Sequence, residues 1–409
     1  MSLPGLNIQF SNGNIKTVVP TDDSVFGMLA SAVAVTGKFD LETPYKLTGM
    51  QDVAKLGILP DTNNYVLYNS LLEFYTEAGE GAELWLMGFA RKTKVSDWFT
   101  PDASTGVVPA SKLLDAANGK ISLLLTKYSP ADASTISITN GVDGDVWTAT
   151  TKAQSFSQDY TTQNYAPVFA LIEGYAYNGN ATDLPDLTED SKNRVAIFIG
   201  DTKAKTGTPE NFNTANHILA ARLSKLGVQE NAGKVKRGAL ATTTAFIVDT
   251  PVEHYDVEAL HDKGYITFRT HVRKAGYYIT DDPLATSPAD DYSHITRRRV
   301  ADKAFRIAHN VLSGSILDDF DVNNDGTINE IYAASIEADV ESAIYTLMTL
   351  NGELSADKTN PNDLGVKAHI DRDTNVVTTG RVSMVLKIRP KGMLRWLDVA
   401  LGYDINLQN

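Results

Sequence analysis

The sequence predicts a multi-domain chain of mixed α/β and α+β class. The expected layout is a mixed-sheet core domain, extended strands at both termini, and a middle insertion of α/β or β-rich character. Three observations carry this expectation. Over 167–248, short continuous apolar runs alternate with an amphipathic helix, the pattern of strands covered on both faces. Two long amphipathic helices occupy the last third. Leu397, Val399, Leu401, Tyr403, Ile405 and Leu407 keep strict period-two alternation, as a strand with one buried face does.

Length and composition bound the possibilities. A chain of 409 residues is long enough for two or three domains, and 43% hydrophobic with 21% charged residues is ordinary for a soluble globular protein. No stretch approaches the roughly 20 apolar residues of a membrane span. The opening MSLPGLNIQFSNG lacks the basic start and apolar run of a signal peptide, so residence in a cytoplasm is expected. The absence of cysteine excludes disulfides, thiolate zinc sites, iron–sulfur clusters and cysteine nucleophiles. A net charge of −13 argues against nucleic acid as a partner and against anchoring to an anionic membrane.

Taken in order, Leu6, Ile8 and Phe10 alternate with polar residues and stop at the turn Asn12-Gly13, which predicts an extended arm over 1–20. The small-residue apolar segment 25–35 suits a strand or a buried helical turn, and 52–57 a short helix ending in glycine. Leu67, Leu71 and Phe74 mark one helix face; Gly79 and Gly81 break the helix before a strand over 83–90. These form the first part of the core, 21–95. The stretch 96–166 is richer in Ser, Thr, Asp and Gly, with strands at 121–127 and 135–139 and turns at Asn140-Gly141 and Asp143-Gly144, and reads as a variable, β-rich insertion.

An α/β domain follows over 167–248. It has strands at 168–172, 195–199 and 239–248, and a helix capped by Asn213 whose stripe is Ile218, Leu219, Leu223 and Leu226. A C-terminal domain spans 249–392. It begins with a helix over 252–262 and two strands, then a helix capped by Ser293 that carries Val300, Ala304, Ala308 and Val311 on one face. A second helix from Glu330 stops at Asn351-Gly352, and strands follow over 366–370 and 376–388. Residues 393–409 form the terminal strand.

Candidate chemistry is sparse. Asp321, Asn323, Asp325 and Thr327, with Gly326 and Ile328, match the front half of a calcium loop, but Tyr332 stands where a bidentate carboxylate is required. A polar inter-helix turn is the expectation. His254, Glu258 and His261 share one helix face but lack the second Glu-x-x-His of a di-metal site. The run Arg297, Arg298, Arg299 follows Asp290 and Asp291 in an acidic chain, which favours ion pairing within the fold or across a subunit contact over phosphate binding. No P-loop, nucleophile elbow or complete penicillin-binding signature occurs, so no catalytic residue and no cofactor are expected. The residues alone leave open a soluble α/β binding protein or hydrolase with a calcium-loop-like turn.

Three blocks, in order, carry a resemblance. The first is the helix, glycine break and strand of 67–90. The second holds Gly264-Tyr265-Ile266-Thr267-Phe268-Arg269, Gly276-Tyr277-Tyr278 and Asp290-Asp291-Tyr292, and runs into the helix at Arg299-Val300. The third is 382–390 with the alternating terminus. Together, over about half of the chain, they resemble the contractile phage tail sheath family; 95–245 matches poorly.

The resemblance implies a subunit that polymerises as hexameric rings stacked in a helical sheath around a tail tube, and contracts to drive the tube through a target envelope. It implies as partners other copies of itself, the tail tube protein, and baseplate and tail terminator proteins. It implies assembly in a host or bacterial cytoplasm, then residence in a virion tail or tail-like particle. By the same resemblance Leu6, Ile8, Phe10, Leu397, Val399, Leu401, Tyr403 and Ile405 would exchange strands between subunits, and Arg297, Arg298 and Arg299 would make an inter-subunit charge contact. Alternation by itself is equally met by strands that pair within their own chain.

Overall fold

The apolar run FGMLASA forms β1 (Phe26–Ala32), and every one of its residues is buried. A computed structural model of the protein describes residues 23–132, 136–205, 212–399 and 401–402. Around β1 lie β2 (Pro44–Leu47), β3 (Leu84–Ala90), β4 (Leu123–Lys127), β5 (Phe169–Glu173) and β6 (Val195–Phe198). They form one sheet in the order β2-β3-β1-β4-β5-β6. All pairings are parallel except β2 on β3, so the sheet is mixed. The inner strands are largely apolar and buried, with polar residues such as Lys127 and Glu173 at their carboxyl ends, because both faces are covered.

Those helices are α1 (Met50–Lys55), α2 (Tyr65–Ala78), α3 (Pro109–Ala116), α4 (Gly144–Asn164) and α5 (Asn216–Ser224). α2 buries Leu67, Leu71 and Phe74 and packs against α5, while α4 lies on β5 and α3 on β1. The α3–β1 approach requires Gly27: a Cβ there would sit 2.8 Å from Leu124 and 3.0 Å from Leu113.

Several expectations are corrected. The stretch 96–166 is mainly helical rather than β-rich, and its strand β4 sits inside the main sheet between β1 and β5. α4 escapes a sequence reading because its polar face is rich in serine and threonine. The helix prevails because Val146, Ala149, Ala153, Phe156 and Tyr160 fall on one buried face. Thr150 and Thr161 donate to the Val146 and Ser157 carbonyls, so their hydroxyls are satisfied within the helix. Of the strand expected over 239–248 only Phe246–Ile247 forms, paired with Thr250–Pro251; the Thr242 hydroxyl donates to the Thr244 carbonyl and turns the chain before it. α5 begins after Ala215, not Asn213. The helix expected over 252–262 divides into a 3-10 turn, Val252–His254, and Val257–His261 capped by Asp256. His254 is thereby separated from Glu258 and His261.

The rest of the chain adds a hairpin, β7 (Phe268–His271) and β8 (Lys274–Ile279), then α6 (Ile295–Leu312) and α7 (Glu330–Ile344), which runs on as a π turn over Tyr345–Thr349. β9 (Val366–Ile370) and β10 (Met384–Ile388) pair antiparallel. Val376–Thr379, expected to be extended, is a helical turn capped by Asn375. Val300, Ala304, Ile307, Val340, Ile344, Met348 and Ala368 form a core distinct from that of the six-stranded sheet. No helix among the described residues is long and apolar enough to cross a membrane.

Candidate functional site

α6 has two faces. Val300, Ala304 and Ile307 sit in the second core, while its charged face turns to the sheet unit. There Arg298 and Arg299 are buried within the chain. Arg298 pairs with Asp302 at 2.8 Å, and Asp302 also takes Arg194 at 3.2 Å. Arg299 donates to the Leu226 carbonyl at 3.2 Å; burial lowers its guanidinium to about 10, where it is still charged at neutral pH. Of the three arginines expected at a subunit contact only Arg297 is exposed. The other two are held inside the chain because an i, i+4 acid and backbone carbonyls stand within their reach.

Both terminal segments touch this helix or its cap. Asp23, where residues 1–22 attach, lies 2.9 Å from Lys303 Nζ, and Lys303 also reaches Glu353 at 2.8 Å. At the other end, Asp282 caps α6: its carboxylate accepts the Thr296 N–H at 2.8 Å as well as the Thr296 hydroxyl. Ser293, the expected cap, makes no such bond; His294 holds the cap position. Against this corner lies Arg395, whose Nε donates to Asp281 Oδ2 at 2.8 Å and whose Nη2 is 3.6 Å from Asp282 Oδ1. Along α6, residues 295 and 303 are about 12 Å apart.

The Asp281–Asp282 pair is an electrostatic strongpoint. Asn231 Nδ2 donates to both carboxylates, at 2.5 and 2.6 Å. Burial pushes the Asp281 carboxyl up, but the Arg395 guanidinium more than offsets this and holds it at about 2. Asp282 is raised, by burial first and then by the Asp281 charge. His294, lowered to about 4 by burial and by Arg395, is neutral at physiological pH. Sequence reasoning missed Asp281, Asp282 and Arg395. An acidic pair after a strand and an arginine before the terminal alternation are visible, but their contact spans 114 residues.

Leu397, Val399 and Leu401 belong to no strand within the chain and are 73%, 74% and 96% exposed. Leu6, Ile8, Phe10, Tyr403 and Ile405 lie outside the described residues. The calcium-like loop is closed by its own bonds. Asp325 Oδ1 accepts the Thr327 N–H at 3.0 Å and hydroxyl at 2.7 Å, Asn323 Nδ2 donates to Thr327 Oγ1, and Tyr332 donates to Asp318. Asp321 is exposed.

At the carboxyl ends of the parallel strands, where α/β proteins place ligands, Lys127 pairs with Glu173 at 2.9 Å and His217 with Glu73 at 2.7 Å. The cleft beside Glu73, Asp201 and His217 is about 30 Å³, room on the order of a single water molecule.

The sequence matches the model described as DUF2586, N-terminal domain, over residues 3–283, and that of its C-terminal domain over 291–408. The chain belongs to the DUF2586 family. No protein of curated function matches it. Solved structures do. The DUF2586 chain aligns over 99% of its length with 98% of a chain in the PVC sheath complex of an extracellular contractile injection system, in the contracted state, at 13% identity and a TM-score of 0.63. A chain of the anti-feeding prophage baseplate, 6-fold symmetrised, gives 0.62 at 13% identity over 99% of this chain and 100% of that one. A chain of the same baseplate in its contracted state gives 0.60 at 14% identity, covering 98% and 99%. This DUF2586 protein therefore has the fold of contractile sheath proteins.

Proposed function

We propose that this DUF2586 protein is the structural subunit of a contractile sheath, polymerising around a tube and shortening to drive it through a target envelope. The observation that carries the proposal is the alternating, exposed apolar tail beyond Arg395, set in a fold aligned with sheath-complex chains over nearly its whole length. Such a tail is costly in water and becomes favourable only when covered.

A recipient is at hand. Among the described residues β9 and β10 pair along their length only with each other, with one face packed on α7, so the two-stranded sheet still has edges to offer. On β9 the outward N–H groups of Ala368 and Ile370 are taken by Glu341 and Glu337, so a neighbour's tail would add at the edge of β10, with alternate side chains setting the register. Leu397, Val399, Leu401, Tyr403 and Ile405 would be donated in this way, and Leu6, Ile8 and Phe10 likewise from the N-terminal side.

The assembly would be rings of six stacked helically, contacting a tube protein within and baseplate and terminator proteins at its ends. It would form in a bacterial or host cytoplasm and then reside in a tail or tail-like particle. Contraction is a rigid-body rearrangement of bodies linked by arms, with no nucleotide consumed and no catalytic residue required. Arg297, the exposed arginine of the run, is the candidate for a charge contact with an acidic neighbour.

Negative-stain electron microscopy of the purified chain tests this. Rings or tubes are expected, and removal of residues 396–409 should abolish them while leaving a folded monomer. Polymers that survive the truncation would overturn the arm model. A chain that stays monomeric at high concentration would overturn the sheath reading.

A further inference from the structure

The C-terminal segment is fastened twice. β10 is tied down at its end by Arg389, whose N–H donates to the Gly365 carbonyl at 2.9 Å, and by a bridge between Pro390 and Leu354. The next fastening is Arg395 against Asp281 and Asp282. Lys391 and Gly392 between them are exposed, and beyond Arg395 the side chains of Trp396, Leu397, Val399 and Leu401 stand open to solvent.

The two fastenings differ in kind. The first belongs to a hydrogen-bonded ladder. The second is a single side chain, 31% exposed, seated on a carboxylate pair that is 12% and 0% exposed. Its rim position makes leaving inexpensive for the arginine, whose head is re-solvated at once. The pair left behind is another matter, because buried carboxylates without a counter-charge are unfavourable. The seat therefore favours re-occupation. Two acceptors offered side by side, braced by Asn231 and by the first turn of α6, suit the planar fork of a guanidinium better than the point charge of an ammonium.

We propose that Asp281, Asp282 and Asn231 form a releasable guanidinium-binding site, occupied by Arg395 of the same chain, that gives the C-terminal arm two lengths. With Arg395 seated, the arm pivots at residue 395. With Arg395 released, it pivots at Pro390, and residues 391–395 add up to about 17 Å of reach. Subunits that stay connected while their bodies move apart and together need slack of this order. The use made of that slack rests on the sheath reading above; the site itself does not.

Limited trypsin digestion of the dilute, unassembled full-length chain reads the seat directly, because Arg395 must leave Asp281 to enter the protease. The cut after Lys391, four residues away on the same exposed segment, is the internal reference. In Asp281→Asn the cut after residue 395 should quicken about tenfold relative to the reference, the loss expected for one charge-assisted hydrogen bond. Asn231→Ala should move the ratio in the same direction, and so should Arg395→Lys, which leaves the body untouched. An unchanged ratio in Arg395→Lys and in either folded socket variant would overturn the site. The ratio is measured before assembly, so a flat result rejects the socket without bearing on tubes, and absent tubes reject the sheath without bearing on the ratio.

Discussion

Lys303 and Asp23 form an ion pair of 2.9 Å, with the lysine shared by Glu353 at 2.8 Å, and the three side chains are 10–13% exposed. A cation taken out of water between two acids is stabilising only while all three are present. Lys303→Met should therefore leave Glu353 without its cation and Asp23 with the more distant Arg306, at 3.9 Å, and cost about 3 kcal/mol, the lower end of the range for breaking a buried pair. Burial already raises Glu353, so Glu353→Gln should cost less. Urea midpoints of the unassembled chain would rank the two.

Arg297 and Arg299 are predicted to behave oppositely. Arg299→Glu places a negative charge where Arg299 now meets the Leu226 carbonyl, and should prevent folding. Arg297→Glu, at an exposed position, should stay within about 0.5 kcal/mol of the parent while altering tube formation. Circular dichroism melts and negative-stain images separate the two outcomes.

Replacing Leu397 and Val399 together with lysine should leave the melting temperature of the monomer unchanged, since both are exposed in the single chain. The same change should abolish polymers, because two of the alternate side chains that would enter a neighbour become charged. Loss of monomer stability would instead mean that the tail packs on its own body.

Glu337 joins α7 to β9 through Arg372 and the Ile370 N–H, and the Arg372 hydrogen bonds hold its carboxyl down at about 2. A carboxyl whose folded value lies below its unfolded value contributes stability that is complete above about 4.5. That contribution is lost as pH falls from there towards 2. Glu337→Gln should flatten this part of the pH–stability curve, measured by thermal melts across the window.

Millimolar calcium should not raise the melting temperature. Asp325 is already engaged with Thr327, and Tyr332 supplies no carboxylate at the position that would close the coordination shell. A rise of several degrees would show that the loop opens and binds.

Legibility in the sequence followed locality. β3, β5 and β6 were readable because unbroken apolar runs such as VAIF leave few alternatives, whereas FGMLASA suited a strand or a buried helical turn and left β1 open. α4 was not, since its buried face is interleaved with Thr150, Ser157 and Thr161, of which the two threonines bond back to the helix. The cap of α6 was misplaced for a different reason. Ser293 is adjacent and plausible, whereas Asp282 arrives from another turn and competes only once the chain has folded. The same holds for the arginine run. Its charges were plain, and Asp302 stands at i+4 from Arg298, but their burial depends on Arg194 and the Leu226 carbonyl being brought to that helix face, which spacing cannot reveal.

The contacts of Asp23 with Lys303 of α6 and of Arg395 with the Asp282 cap of the same helix have a mechanical consequence. If neighbours pull on both ends of the chain, the tension enters at one and leaves at the other across about 12 Å of α6. A helix is stiff along its axis, so part of the traction crosses by this short path, in parallel with the covalent route that enters β1 three residues after Asp23. The ionic contacts at either end become the points where the short path slips first.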